Sequence, residues 1–401
     1  MERFEVVVVG GGPAGSAFAL QLARRLPGVS ERVLVLERWR HPREKYCAGA
    51  VSSVGLDVLE EGGYALNVPH VPIDGVRVRY GDVATEHRRP GMGVVIRRDE
   101  LDHALWRAAG AAGVATRDGE RVVGLERDGA GWVVRTERGA YGARVVIGAD
   151  GTGSAVRRLA GFAEHRRKGR LYVLETPPAN ERERGDGLIE FDLSCIADGI
   201  QGYYWDFPTV MGGRRAVSRG IYHMNAQPRP DLKRVLESFL RRRGVDPTRA
   251  RIKGFSERGY TPGGSMARPG LMLVGEAAGI DPVTGEGIGQ GIVYARVAAA
   301  CCARGLESGD LSFSEYAPAF RRTTVARHLR QSALLAPRVF GPGGTRWASF
   351  LASREDAVAA GARWYEGRPL ERGELLRLGA ALAWSLARRW ELPRPREAVA
   401  G

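Results

Sequence analysis

The spacing of apolar and polar positions changes from region to region along this chain of 401 residues. Residues 6–9 are four consecutive valines, a run typical of a parallel strand buried on both faces. Between residues 171 and 222, short alternating segments predict an antiparallel sheet. Beyond Gly291 the spacing becomes helical as far as Trp390, with a break at 341–344. The chain is therefore predicted to be an α/β protein with an antiparallel sheet platform and a helical C-terminal region.

A glycine-rich turn directly follows the valine run. Gly10, Gly12 and Gly15 form the pattern Gly-x-Gly-x-x-Gly ahead of a predicted helix, and a second apolar strand ends at Glu37. The glycines allow a tight turn and a close approach of the backbone to a pyrophosphate, which the helix N-terminus attracts. Glu37 lies 22 positions after Gly15, where an acid hydrogen-bonds a ribose hydroxyl. The pattern predicts a dinucleotide cofactor, and the alternative is a glycine-rich turn in another α/β domain.

Two later strands also end in acidic residues. The strand predicted at 143–148 is followed by Asp150 and Gly151, and a later apolar strand by Glu276. Residues 284–288 then open another helix. A reduced flavin carries negative charge at one ring edge, which a helix N-terminus stabilises. Three strand-end acids and two glycine-rich helix starts favour a flavin over other dinucleotides.

Charge and cysteine content narrow the possible partners. The formal net charge of +14 comes almost entirely from arginine, scattered without a basic stripe or nucleic-acid-binding motif. It either attracts an anionic partner or only keeps the protein soluble, and we expect no nucleic acid. The four cysteines lack metal-ligand spacing, so we predict no metal site and no iron–sulfur cluster. The first strand begins near Phe4 and no apolar run reaches the ~18 residues of a membrane span, which predicts a cytoplasmic protein.

These motifs resemble the FAD-dependent oxidoreductases of the para-hydroxybenzoate-hydroxylase-like superfamily, and within it the geranylgeranyl reductase family. The resemblance covers about residues 4–330. The likeness to the geranylgeranyl reductase family rests on three segments: 45–50 (Lys-Tyr-Cys-Ala-Gly-Ala), 203–208 (Tyr-Tyr-Trp-Asp-Phe-Pro) and 282–288 (Pro-Val-Thr-Gly-Glu-Gly-Ile). The middle segment matches the Tyr-x-Trp-x-Phe-Pro pattern of that family in full.

The chain departs from the family pattern at four places. Ala48 replaces a glycine, Glu276 replaces the usual aspartate, and Thr209 stands where the family often has lysine. Residues 216–220 lack the usual Asn-Val-Gly run. Two of the departures follow the aromatic segment, so the substrate headgroup is the part that the resemblance leaves open.

The resemblance implies a set of site residues. Cys47 is the candidate catalytic residue near the flavin, where a thiol or an ordered water would donate a proton; the alternative is a small buried hydrophobe. Tyr203, Trp205 and Phe207 alternate on one strand face and form either an aromatic substrate wall or sheet packing. The implied FAD-binding residues are Gly10, Gly12, Ala14, Gly15, Glu37, Arg38, Ala48, Gly49, Ala50, Arg98, Val122, Asp150, Gly151, Gly275, Glu276, Gly285, Gly287 and Ile288.

The implied architecture is a discontinuous Rossmann-like FAD-binding domain, an antiparallel sheet domain that binds substrate, and a helical C-terminal region. The FAD-binding domain is predicted to comprise residues 1–70, 95–165 and 265–305, the sheet domain residues 71–94 and 166–264, and the helical region residues 306–401.

The implied activity is reduction of C=C bonds in an isoprenoid chain, such as geranylgeranyl diphosphate, a prenylated lipid or a quinone. NADPH or a ferredoxin-like protein would reduce the FAD. The alternatives are a flavin monooxygenase or halogenase and, less favoured, an electron-transfer flavoprotein acting on quinone. Leucine and arginine positions in 375–390 fit either a membrane-surface helix or a docked terminal helix. The oligomeric state is left open.

Overall fold

The computed structural model describes residues 1–45, 47–163, 168–180, 182–183, 187–224 and 230–387. The strands are β1 (Glu2–Val9), β2 (Val33–Leu36), β3 (Ala50–Ser52), β4 (His70–Pro72), β5 (Gly75–Tyr80), β6 (Val83–Arg88), β7 (Gly93–Ile96), β8 (Ala115–Arg117), β9 (Val122–Asp128), β10 (Gly131–Thr136), β11 (Ala140–Gly148), β12 (Lys168–Thr176), β13 (Leu188–Asp192), β14 (Gly202–Met211), β15 (Arg214–His223), β16 (Lys253–Arg258), β17 (Ala267–Arg268) and β18 (Leu271–Leu273). The helices are α1 (Pro13–Arg25), α2 (Ser53–Glu61), α3 (Arg98–Ala111), α4 (Ala155–Leu159), α5 (Leu232–Arg242), α6 (Ile288–Ser308), α7 (Tyr316–Arg321), α8 (Thr324–Val339), α9 (Gly344–Ala352), α10 (Glu355–Tyr365) and α11 (Arg372–Ala387).

An eight-stranded sheet has a parallel centre. Six strands follow the order β17-β18-β11-β1-β2-β8, and the hairpin of β9 and β10 joins the sheet where β10 pairs with β11. Strand β1 runs parallel to both β2 and β11, and Val7 lies opposite Leu34 on one side and Val146 on the other. Val6 and Val8 pack against α1, α3 and α6, whereas Val7 and Val9 pack against the hairpin of β9 and β10. The run of valines is continuous because both faces of the strand are covered.

A seven-stranded sheet has the order β16-β12-β15-β14-β13-β5-β6. Its neighbours are antiparallel, as the alternating segments predict, except that β13 runs parallel to β5. This one pair corrects the fully antiparallel prediction. Strand β5 belongs to an earlier hairpin that joins the sheet from a distant part of the chain, so its direction is not fixed by a tight turn. A third sheet has the order β3-β7-β4.

Helices cover both faces of the seven-stranded sheet. On the inner face, Tyr203, Trp205 and Phe207 form one buried cluster with side chains of α9 and α10. On the outer face, Tyr204 stacks on Phe239 of α5 with ring centroids 4.9 Å apart. The alternation predicted for β14 is therefore present, and it places three aromatic side chains on the face that turns towards the eight-stranded sheet. The α/β fold with C-terminal helices is confirmed.

A group of ion pairs lies on the outer face of the central strands. Asp206, between two of the aromatic positions on β14, pairs with Arg219 and with Arg243. Glu190 of β13 pairs with Arg243 and Arg79. Burial alone would raise the pKa of Glu190, but these two arginines lower it to about 2. Glu190 therefore stays ionised, and its ion pairs hold the strand behind the aromatic face in place.

The C-terminal helix α11 starts against the rest of the fold. Arg363 of α10 forms an ion pair with Glu374 of α11, and the side chain of Gln331 hydrogen-bonds the backbone of Leu370. Leu376 is 73% exposed. Positions 388–390 of the predicted helix lie outside the described residues. In the part of the chain that the structure describes, no helix is both long and apolar enough to cross a bilayer.

Candidate active site

A cavity of about 600 Å³ lies between the carboxyl ends of the parallel strands and the inner face of the seven-stranded sheet. Its volume falls within the range of small-molecule and cofactor sites, roughly 300–1,000 Å³. The strand ends contribute Val9, Leu36 and Asp150, and the other sheet contributes Tyr203 and Trp205. One end of the cavity is therefore built from turns with free backbone amides, and the other from aromatic rings.

The glycine turn brings backbone groups close together at the polar end. Gly10 has a φ of +110°, and a Cβ built on it would lie 2.4 Å from the carbonyl oxygen of Ala149. Gly12 is the N-cap of α1 and makes no side-chain capping hydrogen bond. Pro13 has no N–H, so the amides without an intrahelical partner at this helix start are those of Gly12, Ala14 and Gly15, beside the cavity wall, and such a helix start suits an anionic group.

Two arginines lie beside these amides. Nη2 of Arg43 is 3.2 Å from the position of a Cβ on Gly12, and Nη2 of Arg98 is 4.0 Å from it. Both pair with fully buried Asp102, Arg43 at 2.9 Å and Arg98 at 2.7 and 2.8 Å. Burial alone would raise the pKa of Asp102, but Arg98 and Arg43 lower it, so the carboxylate is ionised. Asp102 thus holds two guanidinium groups beside the start of α1, and this set of hydrogen-bond donors fits the pyrophosphate of FAD.

Glu37 is buried at the end of β2 and braces the loop that follows. Its carboxylate accepts hydrogen bonds from the amides of Gly11 and Trp39, each at 3.0 Å, and lies 3.4 Å from Nε of Arg43. Trp39 is 51% exposed, and Arg38 lies over its ring with the guanidinium carbon 5.5 Å from the centroid. Glu37 and Arg38 both line the cavity, at the end away from the aromatic wall.

The two other strand-end acids have different surroundings. Asp150 accepts hydrogen bonds from Oγ of Ser154 at 2.5 Å and from the amide of Val156 at 3.1 Å, at the start of α4. Glu276 lies in the single 3₁₀ turn Gly275–Ala277, accepts a hydrogen bond from Thr152, and pairs with Lys45 at 3.5 Å. Asp150 is thus tied to the backbone at the start of α4, whereas both of these contacts of Glu276 are with side chains.

The loop before α6 is held from three sides. Asp281 accepts hydrogen bonds from the amide of Val283 at 2.8 Å and from Oγ1 of Thr284 at 2.6 Å, and it pairs with buried His328 of α8 at 3.1 Å. Tyr203 donates a hydrogen bond to the carbonyl of Thr284, and Tyr222 to that of Pro282 at 3.0 Å. The aromatic sheet therefore fixes the loop that opens α6. His328, for which the sequence indicates no catalytic role, is one of its anchors.

The aromatic wall is wider than the three residues of β14. Tyr203, Trp205 and Phe207 are all buried and all line the cavity. The same three side chains therefore pack the sheet and form a wall of the cavity, so the two alternatives are compatible. Tyr222 of β15 and Tyr365 of α10 complete the wall. Nothing in the sequence signals Tyr365, because it reaches the cavity only through the packing of α10.

Most of the predicted residues lie in the cavity wall, including Cys47, but two do not. A Cβ on Gly15 would lie 1.9 Å from the carbonyl oxygen of Gly10, so Gly15 packs α1 on β1 behind the wall. A Cβ on Gly49 would lie 2.1 Å from the carbonyl oxygen of Ile96. The wall also contains residues that were not predicted, among them Arg43, Thr152, Tyr222, Glu257, Glu286 and Tyr365.

Residues 3–185 match the family described as FAD binding domain. The chain is 31% identical over 336 residues to digeranylgeranylglycerophospholipid reductase 2 of Methanopyrus kandleri, across 78% of this chain and 80% of that protein. A geranylgeranyl bacteriochlorophyll reductase-like structure from Thermoplasma acidophilum aligns with a TM-score of 0.68 at 23% identity, over 98% of this chain and 99% of that one. A flavin-dependent brominase aligns with a TM-score of 0.69 at 15% identity, over 96% and 100%. Both structural likenesses show the fold alone.

Proposed function

The chain belongs to the geranylgeranyl reductase family of FAD-dependent oxidoreductases, enzymes that act on CH–CH groups, and we propose that it reduces the C=C bonds of a geranylgeranyl chain carried by a lipid or a diphosphate. The observation that carries the proposal is the cavity, in which an anion-binding end continues into a wall of aromatic rings. The relative from Methanopyrus kandleri is named for a geranylgeranylated glycerophospholipid.

We propose that the polar end holds FAD. The first amides of α1, with Arg43 and Arg98, would bind its pyrophosphate, Glu37 a ribose hydroxyl, and Glu276 the ribityl chain. Glu276 is one methylene longer than aspartate, and its contacts with Thr152 and Lys45 hold its carboxylate at the cavity wall. Bound FAD in its reduced form supplies hydride to the substrate.

The aromatic end supplies the binding energy for an isoprenoid chain. Such a chain offers methyl and methylene groups and few polar atoms, and each buried CH₂ contributes roughly 0.8 kcal/mol. Trp205 and Phe207 form an apolar surface, and Tyr365 closes it from the side of α10. The hydroxyl of Tyr203 is occupied by the carbonyl of Thr284, so its ring adds to the apolar surface.

We expect the reduced holoenzyme to be reoxidised by geranylgeranyl diphosphate. The FAD would be reduced without oxygen, by NADPH or by a ferredoxin-like protein, and mixed in a stopped-flow instrument with the prenyl substrate or with oxygen. Flavin absorbance gives the rate, and mass spectrometry of the product should show one added H₂ per double bond reduced. Reoxidation by oxygen alone would contradict the proposal and favour a monooxygenase or halogenase, since a brominase shares the fold.

A substitution at Cys47 tests whether its thiol contributes to this reaction. We expect Cys47→Ser to lower the rate of alkene reduction about tenfold, a change of ~1.4 kcal/mol in the barrier, because Cys47 and the aromatic wall line the same cavity. FAD content should not change. Cys301→Ser makes the same chemical change in α6, where Sγ faces Arg304, and should leave the rate unaltered. An unchanged rate in Cys47→Ser would remove Cys47 from the catalytic residues.

A further inference from the structure

Alkene reduction requires a proton as well as a hydride, and the cavity wall contains an acid with a free oxygen. Glu286 is only 6% exposed and lines the cavity. Its Oε1 accepts a hydrogen bond from the amide of Gly289 at 2.8 Å, in the first turn of α6. Its Oε2 is buried and has no hydrogen-bond partner among the described residues. A carboxylic acid fits this geometry, with Oε1 as the acceptor and Oε2 carrying the proton.

The surroundings of Glu286 favour the protonated form. Burial and the nearby Asp281 raise its pKa, the amides of Gly289 and Gln290 oppose the rise, and the pKa is about 8 as a result. No salt bridge of Glu286 is present in the described part of the chain. The charged or titratable groups near it are Asp281 with its partner His328 on α8, Glu257 on β16, Tyr365 on α10, and Cys47.

Glu286 is close to the apolar end of the cavity. Burial raises the pKa of Tyr365 well above its usual range, and the proximity of Glu286 and of Cys47 adds to the rise, so each of these two groups lies near Tyr365. All three line the cavity together with Trp205 and Phe207. An alkene held on the aromatic wall would therefore lie within reach of an acidic proton that bulk water does not exchange directly.

We propose that Glu286 is the general acid that protonates the alkene. The inference rests on the proposed function, which supplies the alkene and the reduced FAD. Hydride forms a C–H bond at one alkene carbon while the π electrons form a second C–H bond at the other, with the proton of the Glu286 carboxyl. The carboxyl is left as a carboxylate, and a proton from solvent restores it before the next turnover. General acid catalysis of this kind contributes about 10²–10⁴-fold in rate.

Glu257 is the other acid of the wall with a free buried oxygen, but its surroundings differ. Its Oε2 would lie 2.7 Å from a Cβ on Gly285, and Lys45 and Glu276 lie on its side of the cavity. Burial and Glu276 raise the pKa of Glu257 well above its usual range, and the cation of Lys45 offsets only part of that rise. Glu286 has no such cation among the described residues, and one of its oxygens is fixed by a backbone amide. We therefore assign the proton to Glu286 rather than to Glu257.

The first test detects the proton itself, without turnover. Infrared difference spectra of the holoenzyme, recorded on either side of pH 8, should show a protonated carboxyl band that disappears as the pH rises. The band should be missing in Glu286→Gln and present in Cys47→Ser. Loss of the band in Glu257→Gln instead, or its absence from the unaltered protein, would overturn the assignment.

The second test is the pH dependence of reoxidation by geranylgeranyl diphosphate. In the unaltered enzyme the rate should fall tenfold per pH unit above about pH 8, because only protonated Glu286 donates. Glu286→Gln should lose about 10²-fold or more in rate and show no such fall, and Glu286→Asp should restore part of the rate. Cys47→Ser should keep the fall at the same pH.

The results separate this inference from the proposed function. An unaltered enzyme that reduces the prenyl chain, with Glu286→Gln equally active, overturns the general acid and leaves the proposed function intact. An unaltered enzyme that never reduces a prenyl chain overturns both, and the infrared band then shows separately whether Glu286 holds a proton. Equal FAD content in all variants excludes a folding defect as the cause of lost rate.

Discussion

The Gly15→Ala variant is expected to lose at least about 100-fold in affinity for FAD, or ~2.7 kcal/mol. A Cβ at this position would lie 1.9 Å from the carbonyl oxygen of Gly10. The obstacle is backbone and not the end of a flexible side chain, so α1 must move away from β1. That movement displaces the amides that follow Gly12, which is where the pyrophosphate is proposed to bind. The variant should be purified, stripped of cofactor and titrated with FAD by flavin fluorescence.

Gly139→Ala is the matched control for this experiment. No atom lies within 4 Å of a Cβ built on Gly139, and its backbone is not in the left-handed region. It lies in the turn before β11, at the far end of that strand from Asp150. The control should therefore bind FAD as the unaltered protein does. If Gly15→Ala binds FAD equally well, the close packing of α1 on β1 is not what positions the phosphate site.

The local parts of the site could be predicted from the sequence because they depend on short-range patterns. The turn at 10–15 follows a strand and opens a helix, so the glycines and Glu37 lie where the pattern places them. The aromatic alternation in β14 likewise needs only the two-residue repeat of a strand. In each case the neighbours in sequence determine which way a side chain points.

The remaining parts depend on segments that meet only in the folded chain. Arg43 reaches the start of α1 because buried Asp102 of α3 holds it there. Tyr365 reaches the aromatic wall through the packing of α10 on the seven-stranded sheet. The parallel pairing of β13 with β5 has the same origin. The spacing of apolar residues within one segment contains no information on distant partners. The roles of Arg43 and Tyr365 and the pairing of β13 with β5 therefore could not be predicted.

Replacing Asp102 is expected to be the most destabilising single change at the polar end. Asp102→Asn keeps the size of the side chain but removes the charge that Arg43 and Arg98 share at 2.7–2.9 Å. Arg98 is buried and would be left with an uncompensated charge, whereas Arg43 would keep Glu37 at 3.4 Å as its remaining partner. Breaking one partner of a buried ion pair costs about 3–5 kcal/mol. Urea unfolding followed by circular dichroism measures the loss as a lower midpoint at unchanged slope.

Asp99→Asn is the control, since Asp99 is on the same helix and its side chain, 28% exposed, pairs with Arg97. A pair of that exposure contributes about 0–1 kcal/mol. The free energy of unfolding measured at acidic pH gives a second check. The pKa of Asp102 is lowered from 3.8 in the folded protein, so its contribution is present above that value and disappears as the pH falls through the folded pKa. The two variants and the unaltered protein should therefore converge in stability at strongly acidic pH.

The FAD-free protein and the holoenzyme should respond differently to the loss of Asp102. In the free protein, both guanidinium groups lose their only shared carboxylate, and the full 3–5 kcal/mol should appear. In the holoenzyme, a pyrophosphate at the start of α1 would lie beside the same two guanidinium groups and take over part of the compensation. Saturating FAD should therefore raise the midpoint of Asp102→Asn more than that of Asp99→Asn. An equal rise in both variants would mean that Arg43 and Arg98 do not bind the cofactor phosphates.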